Sequence, residues 1–215
     1  MAKDLRDFRR APRRGRLEAS ALVRGADMDH ALVGEAKQAA IGAMAGTVVE
    51  LGPGPGINLR YYAPGTRVIA IEPNPAMHRG LLAAARAHDV DVDIRTLHGE
   101  RMDVEDASAD AVVGTLVLCG VDDPASVVAE IMRVLRPGST YLFYEHVRAP
   151  EGTLTRLGQR IAKRPQRWML NGCEVDRDTQ ALLEHAGFSS LEVTPVDAGP
   201  AAVWTRTRIL GTATR

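Results

Sequence analysis

The stretch VVELGPGPGINL, residues 48–59, sets Gly52, Gly54 and Gly56 within five positions directly behind an apolar run. A short apolar run that stops on glycines reads as a buried strand entering a sharp turn. Glycine carries no Cβ to hold a ligand away and tolerates positive φ, so such a loop lets backbone approach what it binds. The surrounding chain repeats one rhythm. Apolar strands are expected at RVIAIE (67–72), VDIRTLHGE (92–100), DAVVGTLVLCGV (110–121) and TYLFYEHV (140–147). Between them, NPAMHRGLLAAARAH (74–88) and DPASVVAEIMRVLRPG (123–138) have helical spacing, the first with Pro75 at a first-turn position and the second closed by Pro-Gly. A helix over 26–45 precedes the first strand, and NLRYY (58–62) opens a further helical stretch.

Alternating strands and helices imply parallel βαβ units and a doubly wound α/β sheet. The rhythm breaks at residue 148. An amphipathic helix is marked by Leu154, Leu157 and Ile161, a capped helix by DRDTQALLEHAGF (176–188), and two closing strands lie at 189–196 and 201–215. The expected fold is Rossmann-like: seven strands, mostly parallel with the last antiparallel, helices on both faces, and small cap elements at the N-terminus and at 148–172. Residues 1–25 form a basic arm and 26–215 the main domain, with a ligand half at 26–147 and an acceptor insert plus closing strands at 148–215.

Composition narrows the function classes. Lys plus Arg and Asp plus Glu number 27 each, so net charge offers no reason to expect a nucleic-acid partner. The charge is uneven: residues 1–24 hold eight basic side chains against three acidic ones, as in a solvated arm or one that touches an acidic surface. The longest apolar run, 111–121, is far below the ~18 residues of a membrane span, and no apolar h-region follows the basic start. A cytoplasmic protein is expected, with no stable membrane insertion, as monomer or homodimer. Two cysteines, Cys119 and Cys173, give neither a disulfide framework nor a metal-binding spacing, so no metal is expected.

In open α/β sheets ligands bind beyond the carboxyl ends of the strands, where strand order reverses. The loop 52–56 falls there. Glu72 ends the second strand 20 residues after Gly52, the place from which a carboxylate accepts both hydroxyls of an adenosine ribose. A dinucleotide would want G-x-G-x-x-G, but position 57 is Ile and the spacing is G-x-G-x-G. Pro53 and Pro55 also remove two N–H donors that a pyrophosphate would use. An adenosyl ligand without phosphates fits better, which points to S-adenosylmethionine and disfavours an NAD-dependent oxidoreductase.

VVELGPGPG, VIAIEPNPAM, HGERM, DAVVGTLVLCGV and RVLRPG resemble, in order and spacing, the motifs of class I S-adenosylmethionine-dependent methyltransferases of the type 11 kind, over about residues 30–147. TLVLC, LRPG, EHV, NGC, RDT and ILGTA are further similar to the thiol S-methyltransferases of animals and their bacterial relatives. The animal proteins carry an N-terminal membrane anchor that these residues lack, and their RPGG reads RPGS here, with Ser139. The resemblance implies S-adenosyl-L-methionine as cofactor and S-adenosyl-L-homocysteine as product. Gly52, Gly54 and Gly56 would line its methionine and ribose side, with Glu50 supporting the loop or the amino end. Glu72 would take the ribose, and Pro73, Asn74 and Met77 would flank the adenine. Gly99, Glu100, Arg101 and Met102 would read and cover the adenine, and Thr115 and Leu116 would touch the methionine part.

Methyl transfer needs little beyond alignment when the nucleophile is a thiolate, whereas an alcohol generally needs a base. His146, at the end of the fifth strand, is the candidate catalytic residue, able to orient or deprotonate the acceptor. Asn58 and Tyr62, in the helix after the glycine loop, would form one wall of the acceptor site. Trp168, Asn171 and Cys173, around the NGC loop, would form the other. Cys119 reads as a small buried hydrophobe. A small-molecule acceptor is expected, best a thiol. O-, N- or C-methylation of a metabolite, quinone or lipid is the alternative within the enzymes, and a non-catalytic cofactor-binding module the alternative outside them.

Overall fold

The structure, a computed structural model, describes residues 12–169 and 173–215, with side chains described for 20, 22–163, 173–199 and 203–215. Seven strands form one sheet: β1 (Thr47–Leu51), β2 (Arg67–Ile71), β3 (Asp91–Arg95), β4 (Ala109–Thr115), β5 (Leu135–His146), β6 (Ser190–Asp197) and β7 (Thr207–Thr214). Their order is β3-β2-β1-β4-β5-β7-β6. The first five pair parallel, and β7 runs antiparallel to both β5 and β6. Strand order reverses between β1 and β4, so the loop after β1 stands at the switch point.

Strand alternation assigns the two faces. Val48, Val68, Val113 and Leu142 point into a cluster with Ile41 of α1 (Pro12–Gly42) and Leu81 and Ala85 of α2 (Pro75–His88). Their neighbours Val49, Ile69, Val112 and Phe143 point the other way, onto Val127, Val128 and Ile131 of α3 (Pro124–Val134). One-residue alternation therefore builds two cores, with helices on both faces. Asn74 and Asp123 start α2 and α3 as N-caps, their side chains accepting from Ala76 N and from Ala125 N and Ser126 N.

Four boundaries differ from expectation. α1 begins at Pro12, so it runs through residues assigned to the arm. The stretch after the glycine loop is one 3₁₀ turn, Ile57–Tyr61. β5 begins at Leu135, directly behind α3, and absorbs Arg136-Pro137-Gly138 through a register shift opposite Ala109–Ala111. β4 stops at Thr115 instead of reaching residue 121, because Leu116 turns to φ 58° and the following N–H groups find a side-chain acceptor, described below.

The 148–172 region holds the amphipathic helix α4 (Leu154–Met169), followed later by α5 (Thr179–Glu184). Leu154, Leu157 and Ile161, the residues that mark α4, are exposed. The anchor is polar. Gln159 is fully buried, donating from Nε2 to Val147 O and Val175 O and accepting from Ala149 N at Oε1. It ties α4 to the end of β5 and to the loop before α5. No helix among the described residues is long and apolar enough to cross a membrane.

Candidate active site

The glycine loop turns through three left-handed glycines, Gly52, Gly54 and Gly56, with φ of 54°, 56° and 89°. Their surroundings separate their roles. A Cβ on Gly56 would lie 2.8 Å from Ala84 Cβ, so this glycine lets α2 pack against the loop. Among the described residues, a Cβ at Gly54 would meet only Leu22 Cδ1 of α1, at 3.5 Å, an ordinary contact distance.

The loop has no N–H to give an anion. Gly52 N donates to Ile71 O (3.0 Å), Gly54 N to Glu72 Oε2 (2.9 Å) and Gly56 N to Pro53 O (3.0 Å), while positions 53 and 55 are prolines. A pyrophosphate cradle needs such donors free. The other oxygen of Glu72 accepts from Asn74 N at 2.8 Å. Glu72 is buried, and these two bonds hold its carboxylate at the mouth of the switch point.

Glu50 lies at the centre of a buried polar network. Its oxygens accept from Asn58 Nδ2 (2.8 Å) and from Tyr62 OH (3.1 Å). Asn58 Nδ2 also reaches Thr115 Oγ1 at 2.9 Å, and Asn58 Oδ1 accepts from Lys37 Nζ at 3.2 Å. Lys37 Nζ in turn pairs with Asp29 at 2.6 Å and sits 5.0 Å from the centre of the Tyr144 ring. Asn58 and Tyr62 thus direct their polar atoms at Glu50. Burial pushes the Glu50 carboxyl up to about 7, against the lowering effect of the Asn58 and Tyr62 hydrogen bonds and the Lys37 charge.

Raised above its unfolded value of 4.5, that carboxyl favours folding fully at low pH and loses the contribution as pH rises through about 7. Cofactor-free protein is therefore expected to lose about 2 kcal/mol more stability between about pH 5 and pH 8 than Glu50→Gln does. Urea unfolding of both across that range checks this; parallel curves would remove the claim.

At the start of α2, Asn74 caps the helix, Met77 is buried in its first turn and Pro73 is half-buried. Met102 packs into the core cluster under α3, and its N–H donates to Glu130 Oε2 (2.8 Å), so its side chain serves packing. Gly99 sits against Val127, where a Cβ would approach within 3.3 Å, and Arg101 is exposed. Glu100 differs: its Oε2 is buried and has no hydrogen-bond partner among the described residues.

Beyond β4 and β5 the chain makes its least regular turn. Glu145, fully buried, accepts from Val117 N (2.8 Å) and Leu118 N (2.8 Å) at Oε1 and from Cys119 N (3.1 Å) at Oε2. Leu116 N donates to Tyr144 O, which completes the turn. Burial outweighs these bonds and pushes the Glu145 carboxyl up to about 7. Its neighbour His146, also buried, points Nδ1 at Cys119 Sγ (3.6 Å) and Cys173 Sγ (3.5 Å), and the two sulfurs are 3.5 Å apart. Hydrogen bonding with Cys119 and then His146 holds the Cys173 thiol down at about 5, while Cys119 is raised. Cys119 lies in the turn, and Glu174 N, beside Cys173, donates to Cys119 O at 2.6 Å. Trp168 has no described side chain, and Asn171 lies outside the described residues.

Sequence reasoning missed Asp29, Lys37, Glu145's bonds and Gln159. Polar residues at these positions carried no spacing signal; a lysine on the apolar side of α1 was the one available clue.

A family model described as a methyltransferase domain matches residues 49–143. With this strand order and a glycine loop answered by a strand-end carboxylate, the chain belongs to the class I S-adenosylmethionine-dependent methyltransferases. Within them it is similar to thiol S-methyltransferases. TMT1B of Rattus norvegicus is 37% identical over 150 residues, covering 68% of this chain and 62% of that protein. TMT1A of Homo sapiens is 36% identical over 155 residues, covering 71% and 64%. The chain thus spans less than two thirds of the length of these relatives. Among solved structures, phosphoethanolamine N-methyltransferase 2 of Haemonchus contortus in complex with S-adenosyl-L-methionine has a TM-score of 0.63 at 15% identity, covering 83% of this chain and 52% of that one.

Proposed function

We propose that this chain transfers the methyl group of S-adenosylmethionine to a small thiol. The observation that carries the cofactor is the loop 52–56, whose N–H groups are all engaged or absent, beside the buried Glu72 carboxylate at the end of β2. A carboxylate at this strand end, oriented by Gly54 N and Asn74 N, is the group that meets the two hydroxyls of a ribose in such a sheet. Glu100 Oε2, buried with no partner among the described residues, suits the adenine amino group. Pro73, Asn74 and Met77 flank the base, and Gly99 and Arg101 complete the segment that carries Glu100 and Met102. The Glu50–Asn58–Thr115 network, with Leu116 beside it, faces the methionine end, where a raised carboxyl becomes a carboxylate opposite the ligand's ammonium.

The acceptor reading rests on the similarity to thiol S-methyltransferases and on the surroundings of His146. The acceptor sulfur attacks the methyl carbon in line. The bond from carbon to the sulfonium breaks, and its electron pair stays on S-adenosylhomocysteine. Alignment and exclusion of water do most of the work. Cys173, packed against His146, would line the acceptor site. Because two thiols must stay reduced side by side, the reading favours a reducing compartment such as the cytoplasm.

Methyl-labelled S-adenosylmethionine offered with alkyl and aryl thiols, a phenol and an amine tests this. Transfer to thiols at least ten-fold faster than to the others is expected. Transfer to the phenol or the amine with none to any thiol sinks the acceptor assignment.

A further inference from the structure

Cys119 Sγ, Cys173 Sγ and His146 Nδ1 form a triangle with edges of 3.5, 3.6 and 3.5 Å. Zinc bonds of about 2.3 Å to sulfur and about 2.0–2.1 Å to nitrogen, in a tetrahedron, place two sulfurs about 3.8 Å apart and a sulfur and nitrogen about 3.6 Å apart. The three atoms therefore match one face of such a tetrahedron to within a few tenths of an ångström. They come from three separate elements, and each is pinned by other contacts. Glu145 holds the turn of Cys119, His146 ends β5, and Gln159 and the Glu174 N–H hold the loop of Cys173. All three residues are buried, together with Val175, and Leu116 packs on them. The nearby Arg177 guanidinium is matched by Glu174 at 3.3 Å and donates to Leu118 O and Val121 O.

We propose that Cys119, His146 and Cys173 bind a zinc ion whose fourth position receives the acceptor thiolate. Two thiolates and one imidazole are a neutralising, borderline-soft set for this ion, and three protein ligands with one open position are the pattern of catalytic zinc sites. The second half of this proposal rests on the thiol reading above; the metal site does not. Coordination sends the acceptor's thiol proton to solvent. A lone pair of the bound thiolate attacks the methyl carbon, the carbon–sulfonium bond breaks with its electrons left on S-adenosylhomocysteine, and the neutral thioether, a weaker ligand, leaves the ion.

Reconstitution of the full chain with cobalt(II), after chelation and under a phosphine reductant, tests the site without reference to activity. Wild-type protein is expected to show thiolate-to-cobalt charge-transfer absorption and the strong d–d bands of four-coordinate cobalt, and to retain one zinc per chain by mass spectrometry. Cys119→Ser and Cys173→Ser should each weaken metal binding at least ten-fold. Cys119→Ala and Cys173→Ala repeat the measurement should serine disturb packing, and S-adenosylhomocysteine binding reports that each variant is folded. A small alkyl thiol should shift the d–d bands. Metal uptake by wild type no greater than by a folded Cys119→Ala/Cys173→Ala double variant overturns the site. Tetrahedral cobalt bands that ignore thiols, with methyl transfer to an amine or phenol, uphold the site and overturn its role toward a thiol.

Discussion

Glu72→Ala is expected to weaken binding of S-adenosylhomocysteine about a thousand-fold while leaving the protein folded. The carboxylate is buried at the switch point, and its two oxygens are oriented by Gly54 N and Asn74 N. Two ribose hydroxyls donating to a fixed carboxylate make charge-assisted hydrogen bonds, each worth about 1.5–3 kcal/mol. Their joint loss, about 4 kcal/mol, corresponds to about three orders of magnitude in Kd. The loop also loses the acceptor for Gly54 N, so some of the effect arises from a less ordered Gly-Pro turn. Glu72→Gln separates the two contributions. Its amide oxygen can keep one backbone donor, but its NH₂ faces the other and cannot accept from it, so binding should recover only in part. Calorimetric titration of wild type and both variants measures this. An affinity within ten-fold of wild type for a folded Glu72→Ala protein would falsify the ribose assignment.

Glu145→Ala is expected to be the most destabilising single substitution in the candidate site. The side chain is fully buried and accepts three backbone N–H groups that no strand partner serves, those of Val117, Leu118 and Cys119. Buried donors left without acceptors cost about 1–3 kcal/mol each. A loss on the order of 5 kcal/mol follows, and for a chain of this size it lowers Tm by about 10 °C or more. Glu145→Gln should fall between wild type and alanine. Val117 N and Leu118 N share Oε1, which an amide oxygen reproduces, while Cys119 N would face an NH₂ group. Thermal unfolding monitored by circular dichroism ranks the three proteins. A Tm for Glu145→Ala within 3 °C of wild type, or a glutamine variant less stable than the alanine one, would contradict this account of the turn.

Much of the fold was legible because its signals are local. Short continuous apolar runs at 48–51, 67–71, 110–115 and 140–146 mark buried strands, and Asn74-Pro75 and Asp123-Pro124 mark helix starts. The failures are equally specific. TLVLC is as apolar as any strand in the chain, yet it leaves the sheet at Leu116. A carboxylate 26–28 residues further on captures its N–H groups. Leu154, Leu157 and Ile161 have the spacing of a buried face, but α4 turns them outward because Gln159 anchors the opposite side.

By itself the sequence determined the parallel sheet, the glycine loop at its switch point, Glu72 at the next strand end and a ligand without phosphates. Each follows from period, from residue chemistry or from a short spacing, all of which survive any arrangement of the rest of the chain. Tertiary structure alone decided which buried polar groups meet. Cys119, His146 and Cys173 stand 27 residues apart in turn, and no periodicity links them. They converge because β4, β5 and the loop before α5 end at the same edge of the site. Lys37 reaches Asn58, and through it Glu50, only because α1 crosses the glycine loop. Buried charges and thiols need partners wherever the folded chain supplies them, and that supply is a property of space.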